Sequence, residues 1–335
     1  MRIHIVSRTS VLTLKYKKIG IPRAFFFHSF PGLFKVFFET LGMEPVISSP
    51  TTKQTLERAT HVCEAEHCLP NKLFDGHVMS LKDRVDAMFI PRIISMTRGY
   101  IACPRFGALP EATRSWLGDT VPIISFDINQ TKVPLHRSLE KFGKELTGSK
   151  KISRNAAQKS ITSMERSLAE IRLKNKSYSS RKSKAEPAFL IFGHPYTLHD
   201  HFIADPILYK LEKLQVPVEV MSFDDPLGKP AGTPMDLLWC TFAKMYNRLQ
   251  TLDKERYAGV IQISTFNCGC DSMMMERFSR RCKKHGVPYM IMMVDEHTGK
   301  AGVDTRLEAF IDSISWKRDA MTNQEPGQTS AKDCA

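Results

Sequence analysis

Eight cysteines are spread along this sequence, at positions 63, 68, 103, 240, 268, 270, 282 and 334. Thiolates are soft ligands suited to iron–sulfur clusters and zinc. Four of them stand beside Pro or Gly in segments that read as loops: Cys68 in EHCLPNK, Cys103 in IACPRFG, and Cys268 with Cys270 in FNCGCDS. Such neighbours keep the backbone open to a bulky group. The separations of 35 and 165 residues exclude a local CxxC knuckle or ferredoxin-like run, so only tertiary folding can bring these thiols together. On spacing alone, burial as ordinary small residues is the commoner fate of free cysteine. Cys240 in DLLWCTF and Cys282 in a Met-rich helical stretch fit that fate, and Cys334 falls in the tail.

A second constellation is DEHTGKAGVDTRLEAF. Asp295, Glu296 and His297 follow an apolar strand, while Thr305, Arg306 and Glu308 begin a helix, with Asp304 or Thr305 as its N-cap. Titratable groups at a strand tip suit acid–base work, with His297 nearest neutrality in its ordinary pKa. Inter-domain salt bridging by Glu296, Arg306 and Glu308 accounts for the same residues equally well. A third is Gly193-His194-Pro195-Tyr196, where a Gly at a strand–helix turn would let an anion reach helix N–H groups, although His194 could equally cap or pack. Neither a Walker A loop nor a GxGxxG fingerprint is present.

The chain has 335 residues, 42% hydrophobic and 25% charged, which suggests about two domains with ample core. Its formal charge of +13 is local: residues 132–184 hold 15 Lys and Arg against four Asp and Glu. No nucleic-acid module motif or aromatic platform accompanies that excess, so it reads as a solvated helical connector with a Ser/Lys-rich end at 174–184. Lys18–Pro22, the neighbourhood of Glu44–Ile47, VDAMFI at 85–90 and VPIISF at 121–126 read as strands, with FFFHSFPGLFKVFFETLG as one helix between the first two. The stripes Leu135, Leu139, Phe142, Leu146 and Ile161, Met164, Leu168, Ile171 have helical spacing. AFLIFG, VPVEVMSF, YAGVIQIS and VPYMIMMVD form a second set of strands.

The fold class that follows is α/β: two doubly wound parallel-sheet domains joined by helices. The expected boundaries are an N-terminal extension at 1–17, a first domain at 18–131, the basic connector at 132–184, a second domain at 185–315 and a polar tail at 316–335. The opening has no uninterrupted apolar h-region and no run reaches 18 apolar residues, so a soluble, cytoplasmic protein without membrane or nucleic-acid partners is expected.

The segments GIPRAFFFHSFPGLFKVFFETLG, CLPNKLFDGHV, FIPRIISM, ACPRFGALP, GHPYTLHD, FNCGCDS and DEHTGKAGVDTRLEAF, in this order across about residues 18–313, resemble the acyl-CoA dehydratase activase-related proteins. Those are similar to the iron–sulfur subunits of the 2-hydroxyacyl-CoA dehydratases. The resemblance implies a flavodoxin-like fold for both domains and a [4Fe-4S] cluster or related iron–sulfur cluster held by Cys68, Cys103 and Cys268. Cys270 stands where similar sequences carry proline, which makes it either a spare thiol or an alternative ligand. The implied partners are an activator ATPase that injects one low-potential electron, a second cluster subunit and an acyl-CoA-like substrate. Three protein ligands would leave one iron open to that substrate, and oxygen sensitivity would follow. Strand tips and helix N-termini of a doubly wound sheet face one side, so Asp295, Glu296, His297 and Arg306 should reach the same crevice as the cysteines. His297 would then move protons, with Glu296 and a buried Arg306 holding the loop, and the basic connector is a candidate docking surface for the activator. The competing readings are a non-catalytic accessory that relays electrons for the activator, and a zinc-binding or metal-free binding protein.

Overall fold

The computed structural model describes residues 15–180, 187–223, 225, 227–228, 230 and 238–322. Most of the expected N-terminal extension, the end of the Ser/Lys-rich stretch and the last thirteen residues, Cys334 among them, lie outside the described residues.

In the first half the chain runs β1 (Lys18–Ile21), α1 (Phe26–Ser29), α2 (Leu33–Thr40), β2 (Glu44–Ile47), α3 (Lys53–Ala59), α4 (Leu69–Leu81), β3 (Ala87–Phe89), β4 (Arg92–Ser95), α5 (Pro104–Leu117), β5 (Ile123–Ile124) and β6 (Asp127–Asn129). Strands β2, β1, β3 and β5 pair in that order, all parallel, and β4 with β6 makes a separate two-stranded parallel sheet. The single helix expected after β1 is two, because Pro31 interrupts it and Gly32 turns left-handed at φ +76°. Of the strand expected over 121–126 only β5 forms, with β6 starting just beyond it, and the run expected at 85–90 yields β3, which Pro91 separates from β4.

Helices α6 (Leu135–Thr147) and α7 (Lys150–Ser180) follow. They are structural elements more than a linker: Leu135, Leu139, Phe142 and Met164 are buried in the first core. Further along α7, Asn175 Nδ2 donates to Ser222 Oγ at 3.0 Å in the second half. The stretch expected to loosen from residue 174 is helical up to Ser180.

The second half runs β7 (Ala188–Gly193), α8 (Pro195–Leu198), α9 (His201–Lys213), β8 (Val218–Val220), α10 (Cys240–Gln250), β9 (Tyr257–Thr265), α11 (Gly269–Lys284), β10 (Tyr289–Val294) and α12 (Lys300–Thr322). Its parallel sheet has the order β10, β9, β7, β8. Counted from the first strand of each half, both sheets read 2-1-3-4, the flavodoxin-like doubly wound order. Strand β9 is buried at all nine positions, as a central parallel strand covered on both faces must be. Helix α12 begins at Lys300, five residues before the expected Thr305, and passes through the expected boundary at 315. Asp304 lies inside it, paired with Lys300 at 2.8 Å.

The two cores exchange side chains. Leu69 and Leu73 of α4 belong to the second core, and Tyr196 belongs to the first. A polar knot crosses the same junction: Thr51 Oγ1 donates to Asp200 Oδ2 at 2.6 Å and accepts from His77 Nε2 at 3.0 Å. Burial holds His28 and His77 neutral, with pKa values near 3, and His199 near 4. Histidines that ionise more readily when unfolded stabilise the fold fully above about pH 6.5, and that stability is lost as pH falls toward their folded values. At pH 5 the cost is about 2 kcal/mol for each. Urea unfolding should therefore show a markedly lower midpoint at pH 5 than at pH 7, and equal midpoints would mean that these rings are not buried neutral.

Candidate metal centre

Three helices begin at a cysteine. Cys68 is the N-cap of α4, Cys103 of α5 and Cys268 of α11. Local sequence explains each start, since Pro70 and Pro104 occupy first-turn positions where no intrahelical N–H is needed. Cys268 follows β9 through Asn267, whose φ of +60° is a left-handed turn that Asn tolerates. Each thiol therefore stands at the positive end of a helix, where negative charge is favoured.

The four loop thiols share one electrostatic neighbourhood. The mutual influence of the Cys103 and Cys270 thiols holds Cys103 below the usual thiol range and pushes Cys270 up. Burial raises Cys68 and Cys268, and each of these feels the charge of Cys103 and of Asp271. Arg105 is exposed, and its charge favours the thiolates of Cys68 and Cys103.

A buried polar chain fixes the α11 side. Asp271 Oδ2 accepts from Ser264 Oγ at 2.5 Å, Asp271 Oδ1 lies 3.2 Å from His194 Nε2, and the Asp271 amide points at Cys268 Sγ at 3.5 Å. The His194 ring stacks on Tyr196, with centroids 4.7 Å apart. His194 follows β7 and Cys268 follows β9, so the site opens at the switch point of the second sheet, where doubly wound folds bind ligands.

Among the described residues, the His194, Cys268 and Asp271 ligand atoms are the set lying within 4.8 Å of one another. No three of the four thiols are that close, whereas four sulfurs around a single zinc ion with bonds of about 2.3 Å would be separated by only about 4 Å. The group compact enough for a single ion is thus His194, Cys268 and Asp271 rather than the four thiols. One buried and three half-buried thiols stand near the Asp271 carboxylate, a donor set that a cationic metal centre would complete by deprotonating its ligands.

The second constellation is placed elsewhere. Asp295, Glu296 and His297 line a cleft of about 1220 Å³ together with Lys53, Lys72 and Phe202, and none of the four thiols borders it. Its loop leaves the edge strand β10, one strand farther from the switch point than β9. Glu296 pairs with Lys72, four residues along α4 from Cys68, and so ties the two halves together. His297 is exposed, and its amide caps Asp295 Oδ1 at 2.9 Å. Arg306 is also exposed and among the described residues reaches the Met293 carbonyl, at 3.4 Å, while Glu308 pairs with Lys210 within the second half. The expected common crevice and the buried Arg306 charge are therefore not found. Cys103, His194 and Tyr196 of the thiol site line a small cavity of about 20 Å³, which Cys240 also borders.

Asp271, Ser264, Arg105 and Lys72 were not legible as site residues. A Ser in an otherwise buried strand, seven residues before an Asp in the first turn of a helix, was the signal available for the first two. Cys63 lines the large cleft, while Cys240 and Cys282 are buried, in keeping with their expected packing role.

A family model described as "CoA enzyme activase uncharacterised domain" matches residues 18–223, more than half of the chain. The chain belongs to that family. The match covers the segments bearing Cys68, Cys103 and His194 and stops before Cys268. No curated protein matches. Among solved structures, the SBP FpvC from Pseudomonas aeruginosa in complex with Mn2+ is similar at 16% identity, covering 89% of this chain and 100% of that one with a TM-score of 0.25. The same protein with Ni2+ gives 15% identity, 89% and 98% coverage and a TM-score of 0.25. Neither likeness bears on what this chain binds. No described helix is long and apolar enough to cross a membrane.

Proposed function

We propose that this activase-related chain is an iron–sulfur protein of the 2-hydroxyacyl-CoA dehydratase type, which accepts low-potential electrons from an activator ATPase and delivers them to an acyl-CoA-like substrate. The observation that carries the reading is the gathering of Cys68, Cys103, Cys268 and Cys270 at the N-termini of three helices. When bound there, a [4Fe-4S] cluster supplies a one-electron centre. Cys68, Cys103 and Cys268 would hold it, and the Ser264–Asp271–His194 chain would fix the approach of Cys268. The large cleft would admit the thioester, with the exposed His297 on its wall as the proton-transfer group and the Lys72–Glu296 pair as its brace.

A second reading is an accessory that relays electrons without transforming a substrate. It is favoured by the absence of any of the four thiols from the wall of the cleft.

Anaerobic reconstitution with ferrous iron and sulfide tests both. The expected result is stoichiometric uptake of iron and sulfide, with a paramagnetic signal on reduction by an ATP-driven activator. His297→Ala should keep that signal and lose turnover if the chain is an enzyme, and change nothing if it is a relay. Protein that takes up no iron and sulfide would end the cluster reading.

A further inference from the structure

We infer that His194, Cys268 and Asp271 form a site for a single thiophilic divalent ion of the zinc type, and that an ion bound there keeps Cys268 from the iron–sulfur cluster. The ion site stands without the cluster reading above, and only the exclusion rests on it. The three side chains meet at two helix starts: His194 is the N-cap of α8, Cys268 the N-cap of α11, and Asp271 lies in the first turn of α11. Their ligand atoms all lie within 4.8 Å of one another. A tetrahedral ion with bonds of about 2.0 to 2.1 Å to nitrogen and oxygen would set those two atoms about 3.3 Å apart. His194 Nε2 and Asp271 Oδ1 stand at 3.2 Å. With a bond of about 2.3 Å, the sulfur would lie about 3.6 Å from each of them, inside the same span. Imidazole, thiolate and carboxylate are all zinc donors, and three of them leave a fourth position for water.

The surroundings favour a cation. Asp271 is only 1% exposed, and among the described residues no lysine or arginine pairs with it, so its carboxylate is buried among neutral partners. Burying such a charge is costly unless a counter-ion joins it. The outer contacts are also those of a metal site. Ser264 Oγ donates to Asp271 Oδ2 at 2.5 Å and so holds the carboxylate with Oδ1 toward His194, while the Asp271 amide points at Cys268 Sγ at 3.5 Å and would support a thiolate. Cys268 is half-buried, which leaves a way in for the ion. One sulfur cannot serve both this ion and an iron of the cluster in its normal place, so the two occupants compete.

The test titrates metal-free wild-type protein, kept reduced and anaerobic, with zinc and with cobalt(II), whose sulfur-to-metal absorption reports thiolate ligation. The expected result is one ion per chain and a cobalt band of the intensity of a single thiolate. Cys268→Ser should abolish that band, and His194→Ala and Asp271→Asn should each weaken binding at least about tenfold. Cys103→Ser should bind zinc as wild type does while failing to assemble a cluster, and wild-type protein preloaded with zinc should take up no iron and sulfide. The wild-type band intensity decides the ligand set even where a variant fails to fold. A band of two or more thiolates, equal loss of zinc in Cys103→Ser, or no ion bound would overturn the ion site and leave the cluster reading untouched. Zinc-loaded protein that still assembles a full cluster would overturn the exclusion. Wild-type protein that binds zinc as expected but never takes up iron and sulfide in its absence would end the cluster reading, and the exclusion with it, and leave the ion site standing.

Discussion

Replacing Cys68, Cys103 or Cys268 with serine should lower bound iron and sulfide more than about tenfold while leaving the fold intact. A serine hydroxyl is a hard, poorly acidic donor, and a cluster selects soft thiolate. Each of these residues begins a helix through its backbone: Asn71 N bonds Cys68 O, Phe106 N bonds Cys103 O and Ser272 N bonds Cys268 O, at 2.9, 2.9 and 3.0 Å. Those bonds survive the substitution, and serine is a preferred N-cap residue. Circular dichroism and the thermal midpoint should therefore stay near wild type while the iron count collapses. Cys63→Ser is the control, because Cys63 faces the large cleft. If the three serine variants load as fully as the control, the loop thiols are not ligands.

Gly76→Ala should be the most damaging small substitution in the first half. A Cβ at Gly76 would fall 1.9 Å from the backbone oxygen of Thr55, because α3 and α4 pack with no side chain between them at that point. Backbone cannot rotate aside as a side-chain end can, so α4 would have to shift, at a cost of about 3 kcal/mol or more. For a chain of this size that lowers the thermal midpoint by roughly 4 °C or more. The shift would also displace Cys68 and Lys72, which α4 carries. Gly107→Ala in α5 is the contrast: the nearest atom to its Cβ is 4.0 Å away and its φ is not left-handed, so replacing a helical glycine should leave the midpoint unchanged or raise it. A Gly76→Ala protein as stable as wild type would mean that the two helices are not held this closely.

Much of this arrangement was legible in one dimension because it is written in local chemistry. Apolar runs such as AFLIFG and YAGVIQIS mark strands buried on both faces, and helices between them impose parallel pairing, so the doubly wound class follows from pattern alone. Pro or Gly within two residues of Cys68, Cys103 and Cys268 marked the helix starts that present the thiols. The sequence by itself thus determined the fold class, the two halves and the loops that carry the sulfurs. The tertiary structure decided what those loops meet. Cys103 and Cys270 are 167 residues apart and influence each other only because the two halves pack together through Leu69, Leu73 and Tyr196. Asp271 became a partner of Ser264 and His194 because neighbouring parallel strands end side by side. Conversely, His297 and Arg306 looked like neighbours of the cysteines because their loop leaves the next strand at the same end. Strand β10 lies at the edge, and one strand of lateral displacement sends that loop to a different cleft. Distance along the chain sets neither the order of strands in a sheet nor the side chains that close packing brings together, and both had to be settled in three dimensions.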